Sequence, residues 1–207
     1  SLFDVPLHYQ LLNASDTNGN FDMRQLFQGT LVENDPWHAV TFVDNHDTEP
    51  GQSLESFVLS WFKPLAYAII LLRRDGLPCV FYGDLYGIPA KNVPAVAELP
   101  TLMKIRELYA YGEQHDYFDN PDIIGWTRSS SDEFSGSGLA VVLTNRYGGT
   151  KRMYIGTNHT GKEFRDILGH CSNTVMIDEE GCGEFSCMDG SVSVWLEKTL
   201  EVEVSLD

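Results

Sequence analysis

The chain has 207 residues, enough for one large domain or two small ones, each with a buried core. Its 43% hydrophobic content excludes a disordered segment. A net charge of −16, with no run of Lys or Arg, argues against nucleic acid and anionic membranes as partners, and the longest apolar stretch, Leu65 to Leu72, is too short to span a bilayer.

In chain order, Leu2 to Tyr9 reads as a strand, and Asp22 to Phe27 as a short helix. Ala39 to Val43 is a strongly β-prone run that ends in Asp44-Asn45-His46-Asp47, and Pro50-Gly51 then breaks the chain. From Ser53 to Arg74, Leu54, Phe57, Val58, Trp61, Phe62 and Leu65 recur at three- and four-residue steps. That spacing predicts a helix capped by Ser53 and kinked or split at Pro64. Arg73 and Arg74 suit its C-terminal dipole, and Gly76 stops it. Pro78 to Tyr82 reads as a further strand closed by Gly83-Asp84, and Pro100 to Tyr109 as a helix with proline at its start. This β-α-β-α order predicts parallel strands with crossover helices.

Near Gly112 the pattern changes to short alternating runs separated by turns. Ile123 to Arg128, Gly138 to Thr144, Arg152 to Gly156, Thr174 to Ile177, Gly183 to Met188 and Ser191 to Leu196 read as strands of an antiparallel β-module. The module carries a charge of −10 (17 acids, 7 bases) against −6 (13 acids, 7 bases) for residues 1–112. The tail from Thr199 to Asp207 alternates and could add a strand. Three strands with helices after two of them do not close a two-sided sheet; they fit the last part of an eight-fold β/α barrel followed by a β-domain.

No CxxC pair occurs among Cys79, Cys171, Cys182 and Cys187, which argues against a zinc ribbon. Cys79 reads as a small core residue. A bridge from Cys171 to Cys182 or Cys187 stays open; free thiols in a reducing cytosol is the preferred reading. Trp126 and Trp195 could stack on sugar in a non-catalytic glucan-binding module, but they lie in alternating strands and core is the better reading.

The most informative stretch is Val40-Thr-Phe-Val-Asp44-Asn45-His46-Asp47-Thr48. In a β/α barrel the C-terminal strand ends build the active site, and a carboxylate with an imidazole there can hold sugar hydroxyls from two sides. The alternative is that Asp44, Asn45 and Asp47 only form a turn. Tyr82 and Asp84 either line the same cleft or shape their loop. Gln52 either reaches sugar or caps the following helix.

These motifs resemble the α-amylase family of retaining glycoside hydrolases. Phe42-Val-Asp-Asn-His-Asp47 is similar to that family's seventh-strand motif, Gly76 to Asp84 to its eighth strand, and Phe3-Asp-Val-Pro-Leu-His-Tyr9 to its sixth. Gly29 to Val40 resembles the bacterial cytoplasmic form, and the likeness runs to about Lys198. The resemblance implies an α/β plus all-β fold: the C-terminal part of a (β/α)8 TIM barrel at residues 1–112, then an antiparallel Greek-key β-sandwich at 113–207. It implies endo-hydrolysis of α-1,4 bonds in starch, glycogen and maltodextrins by the parent enzyme, with Asp47 as the third catalytic carboxylate and His46 and Gln52 as substrate-binding residues. The nucleophile and the acid/base belong to strands four and five, expected before Ser1. The chain is thus expected to be inactive alone, or to be one half of a split enzyme, with an α-glucan and the missing barrel segment as partners. Calcium in related enzymes maps to backbone oxygens of Gly19 and Phe21 and to the side chains of Asp122 and Asn145. Here Asn145 stands where an Asp is expected and Pro121 replaces another residue. A cytoplasmic location is implied, with secretion as the alternative.

Overall fold

The computed structural model describes residues 1–134 and 136–203. The first part builds a three-stranded parallel sheet from β1 (Leu2–Phe3), β2 (Ala39–Phe42) and β3 (Leu77–Cys79) in that order. Helices α1 (Val5–Asp16), α2 (Leu31–Asn34), α3 (Lys63–Leu72), α4 (Tyr82–Tyr86) and α5 (Leu99–Tyr109) connect and follow these strands. Among the described residues no helix is long and apolar enough to cross a membrane.

Three segments differ from their sequence patterns. Only Leu2–Phe3 of the first apolar run is a strand, and Val5–Asp16 is helical. Asp4 caps that helix by accepting the Leu7 N–H at 3.1 Å, and Pro6 sits near its start, where its missing N–H costs nothing. The Asp4 carboxylate is fully buried and also accepts the N–H groups of Leu31 (3.0 Å) and Val32 (2.7 Å), which joins α1 to α2. The periodic stretch from Ser53 to Phe62 is a succession of turns and irregular chain, and the helix starts only at Lys63. Ser53 therefore caps no helix, and Pro64 opens α3 instead of kinking it. Val58 and Phe62 are nevertheless fully buried: the apolar spacing pins a loop to the core. The expected helix at Asp22–Phe27 is a 3-10 turn, Met23–Gln25. Cys79, expected in the core, is exposed on β3, a strand at the edge of the sheet.

The second part is antiparallel. Strands β4 (Gln114–Tyr117), β5 (Ile123–Arg128), β6 (Leu139–Thr144), β7 (Gly149–Tyr154), β8 (Glu163–Asp166), β9 (Thr174–Met176), β10 (Cys182–Cys187) and β11 (Val192–Glu197) form two sheets. The larger has the order β4-β5-β6-β11-β8-β9, and β7 pairs with β10 in the smaller. Every residue of β6 is buried because the large sheet is covered on both faces. Leu139, Val141 and Leu143 join Val192, Val194 and Leu196 against α3 and α5, while Ala140, Val142 and Trp195 face Met153 and Phe185 of the smaller sheet. Alternation along a strand thus feeds two cores. Trp126 and Trp195 are fully buried, their indole N–H groups donating to Leu72 O (3.4 Å) and Ser186 O (3.1 Å), so neither offers a face to sugar. The four cysteines are unbridged. Thr199–Glu203 forms no strand, although Leu200 and Val202 pack on the core; 204–207 of the tail lie outside the described residues.

Asp166 locks the sandwich. It is 6% exposed, and its two oxygens accept four backbone N–H groups, from Leu168 (3.1 Å), His170 (2.9 Å), Cys171 (3.0 Å) and Val194 (3.0 Å). Asp166→Ala leaves these donors without their acceptor and is expected to cost ~3 kcal/mol or more in urea unfolding, with Asp166→Asn intermediate.

Candidate functional site

The candidate site is the loop that leaves the C-terminal end of β2. Its local shape follows from short polar side chains. Asn45 Oδ1 accepts the N–H groups of Asp47 (2.8 Å) and Thr48 (3.1 Å), and the Asn45 N–H donates to Thr48 Oγ1 (3.0 Å). This tight turn throws His46 and Asp47 outward, with side chains 83% and 56% exposed and 3.4 Å apart. Turn formation and an outward carboxylate–imidazole pair are therefore both true of this motif. Gln52 is exposed and donates to Glu49 Oε1 at 3.2 Å. Glu49 also pairs with Lys91 at 2.6 Å, tying the loop to the segment after β3. Lys91 and Gln52 hold the Glu49 carboxyl below the usual carboxylate range.

Beneath the exposed pair lies a buried charge cluster. Lys63 is 2% exposed. Its ammonium pairs with Asp84 and, at 3.0 Å, with Asp44 Oδ2. Asp44 Oδ1 accepts the Thr48 hydroxyl (3.0 Å) and the Val58 N–H (3.3 Å); Asp84 Oδ2 accepts the Tyr67 hydroxyl (2.7 Å). Lys63 Nζ also lies 3.2 Å from the centre of the Phe57 ring. The ends of β2 and β3 are thus bolted together through α3. Asp84 belongs to this bolt and is fully buried, so it shapes the loop; Tyr82 is 72% exposed.

His8 supplies a second anchor. It stacks on Phe42, with ring planes 6° apart, and its Nδ1 donates to the Val43 carbonyl at 2.6 Å while Nε2 faces the Ser56 hydroxyl at 2.9 Å. Burial lowers its pKa, which favours the neutral ring.

The positions expected to ligate calcium do come together, at the joint between α1 and the β-sandwich. Asn145 Nδ2 donates to the Phe21 carbonyl at 2.8 Å, the Asn145 N–H donates to the Asp122 carbonyl at 3.3 Å, and Gly19 lies so close that a Cβ there would sit 2.9 Å from the Asn145 carbonyl. The donor set does not fit calcium, which takes six to eight oxygens. An amide N–H occupies the Phe21 carbonyl where a cation would bind. The one acidic side chain expected, Asp122, has the Arg146 guanidinium 4.0 Å away. Asn145 Oδ1 is buried without a partner, the single feature that a cation would satisfy.

Residues 139–196 match the α-amylase C-terminal family. The chain is 55% identical to an α-amylase of Geobacillus stearothermophilus, over 98% of this chain and 37% of the relative. It is 52% identical to a glucan 1,4-alpha-maltohexaosidase of Bacillus sp. (strain 707), over 96% and 38%. It is 46% identical to a cytoplasmic α-amylase of Escherichia coli (strain K12), over 94% and 41%. The chain spans about two fifths of the length of these curated relatives. Among solved structures, α-amylase I of Eisenia fetida superposes with a TM-score of 0.68 at 15% identity, over 96% of this chain and 49% of that one. An Anoxybacillus α-amylase superposes with 0.64 at 16% identity, over 97% and 48%. At these identities the superpositions show the fold alone.

Burial is the main force on Asp44. It pushes the carboxyl from 3.8 up to about 7, with Lys63 opposing the shift and Asp84 adding to it. The folded protein therefore holds a proton that the unfolded chain releases near pH 3.8, so this contribution to stability is full below that pH and is lost as pH rises through about 7. The stability advantage over Asp44→Asn is expected to fall between pH 4 and pH 7 and to level off above, in urea titrations at fixed ionic strength.

Proposed function

The chain belongs to the α-amylase family, and from that premise we propose that it carries part of the active site of an enzyme that hydrolyses α-1,4-glucosidic bonds in starch-like glucans, with retention. In this reading, residues 1–112 belong to a (β/α)8 barrel and the β-domain behind it begins at 113. The observation that carries the reading is the outward Asp47–His46 pair at the C-terminal end of a parallel strand, where β/α barrels place their chemistry. Leu2, Phe3 and Tyr82, between 54% and 72% exposed around the three-stranded sheet, support a larger protein that covers them.

Asp47 hydrogen-bonds two hydroxyls of the glucose at the cleavage point. These bonds strengthen as the ring flattens toward an oxocarbenium-like transition state. His46 binds the same sugar, and Gln52 the next. Retaining hydrolysis needs two carboxyl groups about 5 Å apart across the scissile bond. No residue of this chain is assigned to either role; Asp44 is sealed under the loop by Lys63, and Glu49 is tied up by Lys91. Partners are thus an α-glucan and the rest of the barrel. The name of the Escherichia coli relative supports a cytoplasmic setting.

We also place the α1–sandwich joint outside calcium control, because the Asn145 amide already spans it. Thermal stability is expected to be the same in calcium and in chelator, whereas Asn145→Asp should unfold at lower temperature in chelator and recover with calcium. Equal calcium dependence of both proteins would contradict this.

For the activity, the chain is combined with the preceding segment of the Geobacillus stearothermophilus relative and assayed by reducing-end release from starch. The pair is expected to be active and the chain alone inert. Asp47→Asn should lower kcat on the order of 10²-fold or more, and His46→Ala less. Starch cleavage by the chain alone, or full activity in Asp47→Asn, would sink the reading.

A further inference from the structure

A chain of net charge −16 gathers four of its 14 basic side chains around one cavity of about 470 Å3. Arg73, Arg74, Arg106 and Arg128 line it, with Tyr111 and a single acid, Glu107. It lies at the C-terminal end of α3, the opposite end from Lys63 and the Asp47 loop, where α5 meets β5. A ten-residue helix separates the two sites by ~15 Å.

The four guanidinium groups differ in what neutralises them. Arg73 is held by Asp116 through two hydrogen bonds of 2.6 and 2.9 Å. Arg74 is 62% exposed and meets Asp75 only at 3.4 Å. Arg106 donates to the Leu71 carbonyl at 2.5 Å, and Arg128 donates twice to the Gly112 carbonyl, at 3.1 and 3.0 Å. Among the described residues neither Arg106 nor Arg128 has a carboxylate within 4.0 Å, and Glu107 is paired with Lys104 at 2.9 Å. Arg128 is only 6% exposed. Burial first, then the charges of Arg74 and Arg106, pull its pKa down to about 10, with Asp75 opposing and Arg73 adding a little. A buried cation surrounded by like charges is unfavourable unless an anion joins it. The carbonyl contacts fix each guanidinium fork in place and leave other N–H groups for a ligand. Forks so arranged suit the oxygens of a phosphoryl group better than a point anion such as chloride. An adjoining cavity of about 520 Å3 shares Arg74 and Arg106 and is lined by one acid, Asp75, and by Trp37, which is 86% exposed. An indole face beside a phosphate clamp suits the ring of a sugar.

We propose that this arginine-lined cavity between α3, α5 and β5 binds a phosphate monoester of a small sugar, with the phosphoryl group on Arg74, Arg106 and Arg128 and the sugar against Trp37. The inference is independent of the role given to Asp47. Bound ligand would clamp the helices to the β-sandwich, so binding should raise the unfolding temperature by mass action.

The test uses the 207-residue chain in low-salt buffer, with calorimetric titration and thermal unfolding in glucose 1-phosphate, inorganic phosphate and chloride at matched ionic strength. Saturable binding of both phosphates is expected, tighter for the ester, with no such effect of chloride. Arg106→Gln should weaken both phosphates at least tenfold. Arg74→Gln, at an exposed position that does not endanger folding, should do so by a smaller factor. Trp37→Ala should reduce only the preference for the ester. Equal affinity for ester and free phosphate would overturn the sugar assignment. A shift that follows ionic strength alone, or binding untouched by both arginine substitutions, would overturn the site.

Discussion

The structure of the first half depends on one buried ammonium. Lys63 stands between Asp44, at the end of β2, and Asp84, at the start of α4, and both carboxylates are out of water. Removing one member of such a buried cluster typically costs about 3–5 kcal/mol, because the charges left behind have no partner. A hydrophobic replacement of all the charged members could be as stable. What the charges supply is direction: Asp44 must sit where it can accept from Thr48 and Val58 at once, and that fixes both ends of the loop that presents His46 and Asp47. An exposed carboxylate is thus aimed by one that never reaches water.

The same economy governs the joint with the second half. The large antiparallel sheet uses one face for its own small partner sheet and the other for α3 and α5. Trp126 donates to the last residue of α3, and Arg73 reaches from the end of that helix to Asp116 on β4. The helix that carries Lys63 at one end is therefore held at the other by the β-sandwich. Charge on α3 is concentrated at its ends, because its middle is buried on all sides.

Much of this was legible in the sequence, for identifiable reasons. The β2 run followed by Asp44-Asn45-His46-Asp47 could be read because strand propensity and turn chemistry point the same way there. Strands β5, β6, β10 and β11 are legible too, from apolar runs or alternation bounded by turn residues. Two strands were missed, Gln114–Tyr117 and Glu163–Asp166, since polar strands at or near a sheet edge lack an apolar signature. Ser53 to Phe62 misled because burial of a loop and burial of a helix face can produce the same spacing. Lys63 and His8 are not legible as structural residues on their own, because a lone lysine or histidine reads as surface. The signals available were the proline after Lys63, which marks a helix start, and the fully apolar run that follows, which leaves its first turn buried.

The central claim is that the buried Lys63 cluster, and not the turn alone, holds the Asp47 loop. Native-state hydrogen exchange of Lys63→Met tests it most directly. The Thr48 and Val58 amides are expected to lose protection while the Val194 amide, bonded to Asp166 in the sandwich, keeps it. Unchanged protection at Thr48 and Val58 would show that the turn stands without the cluster, and would contradict the account.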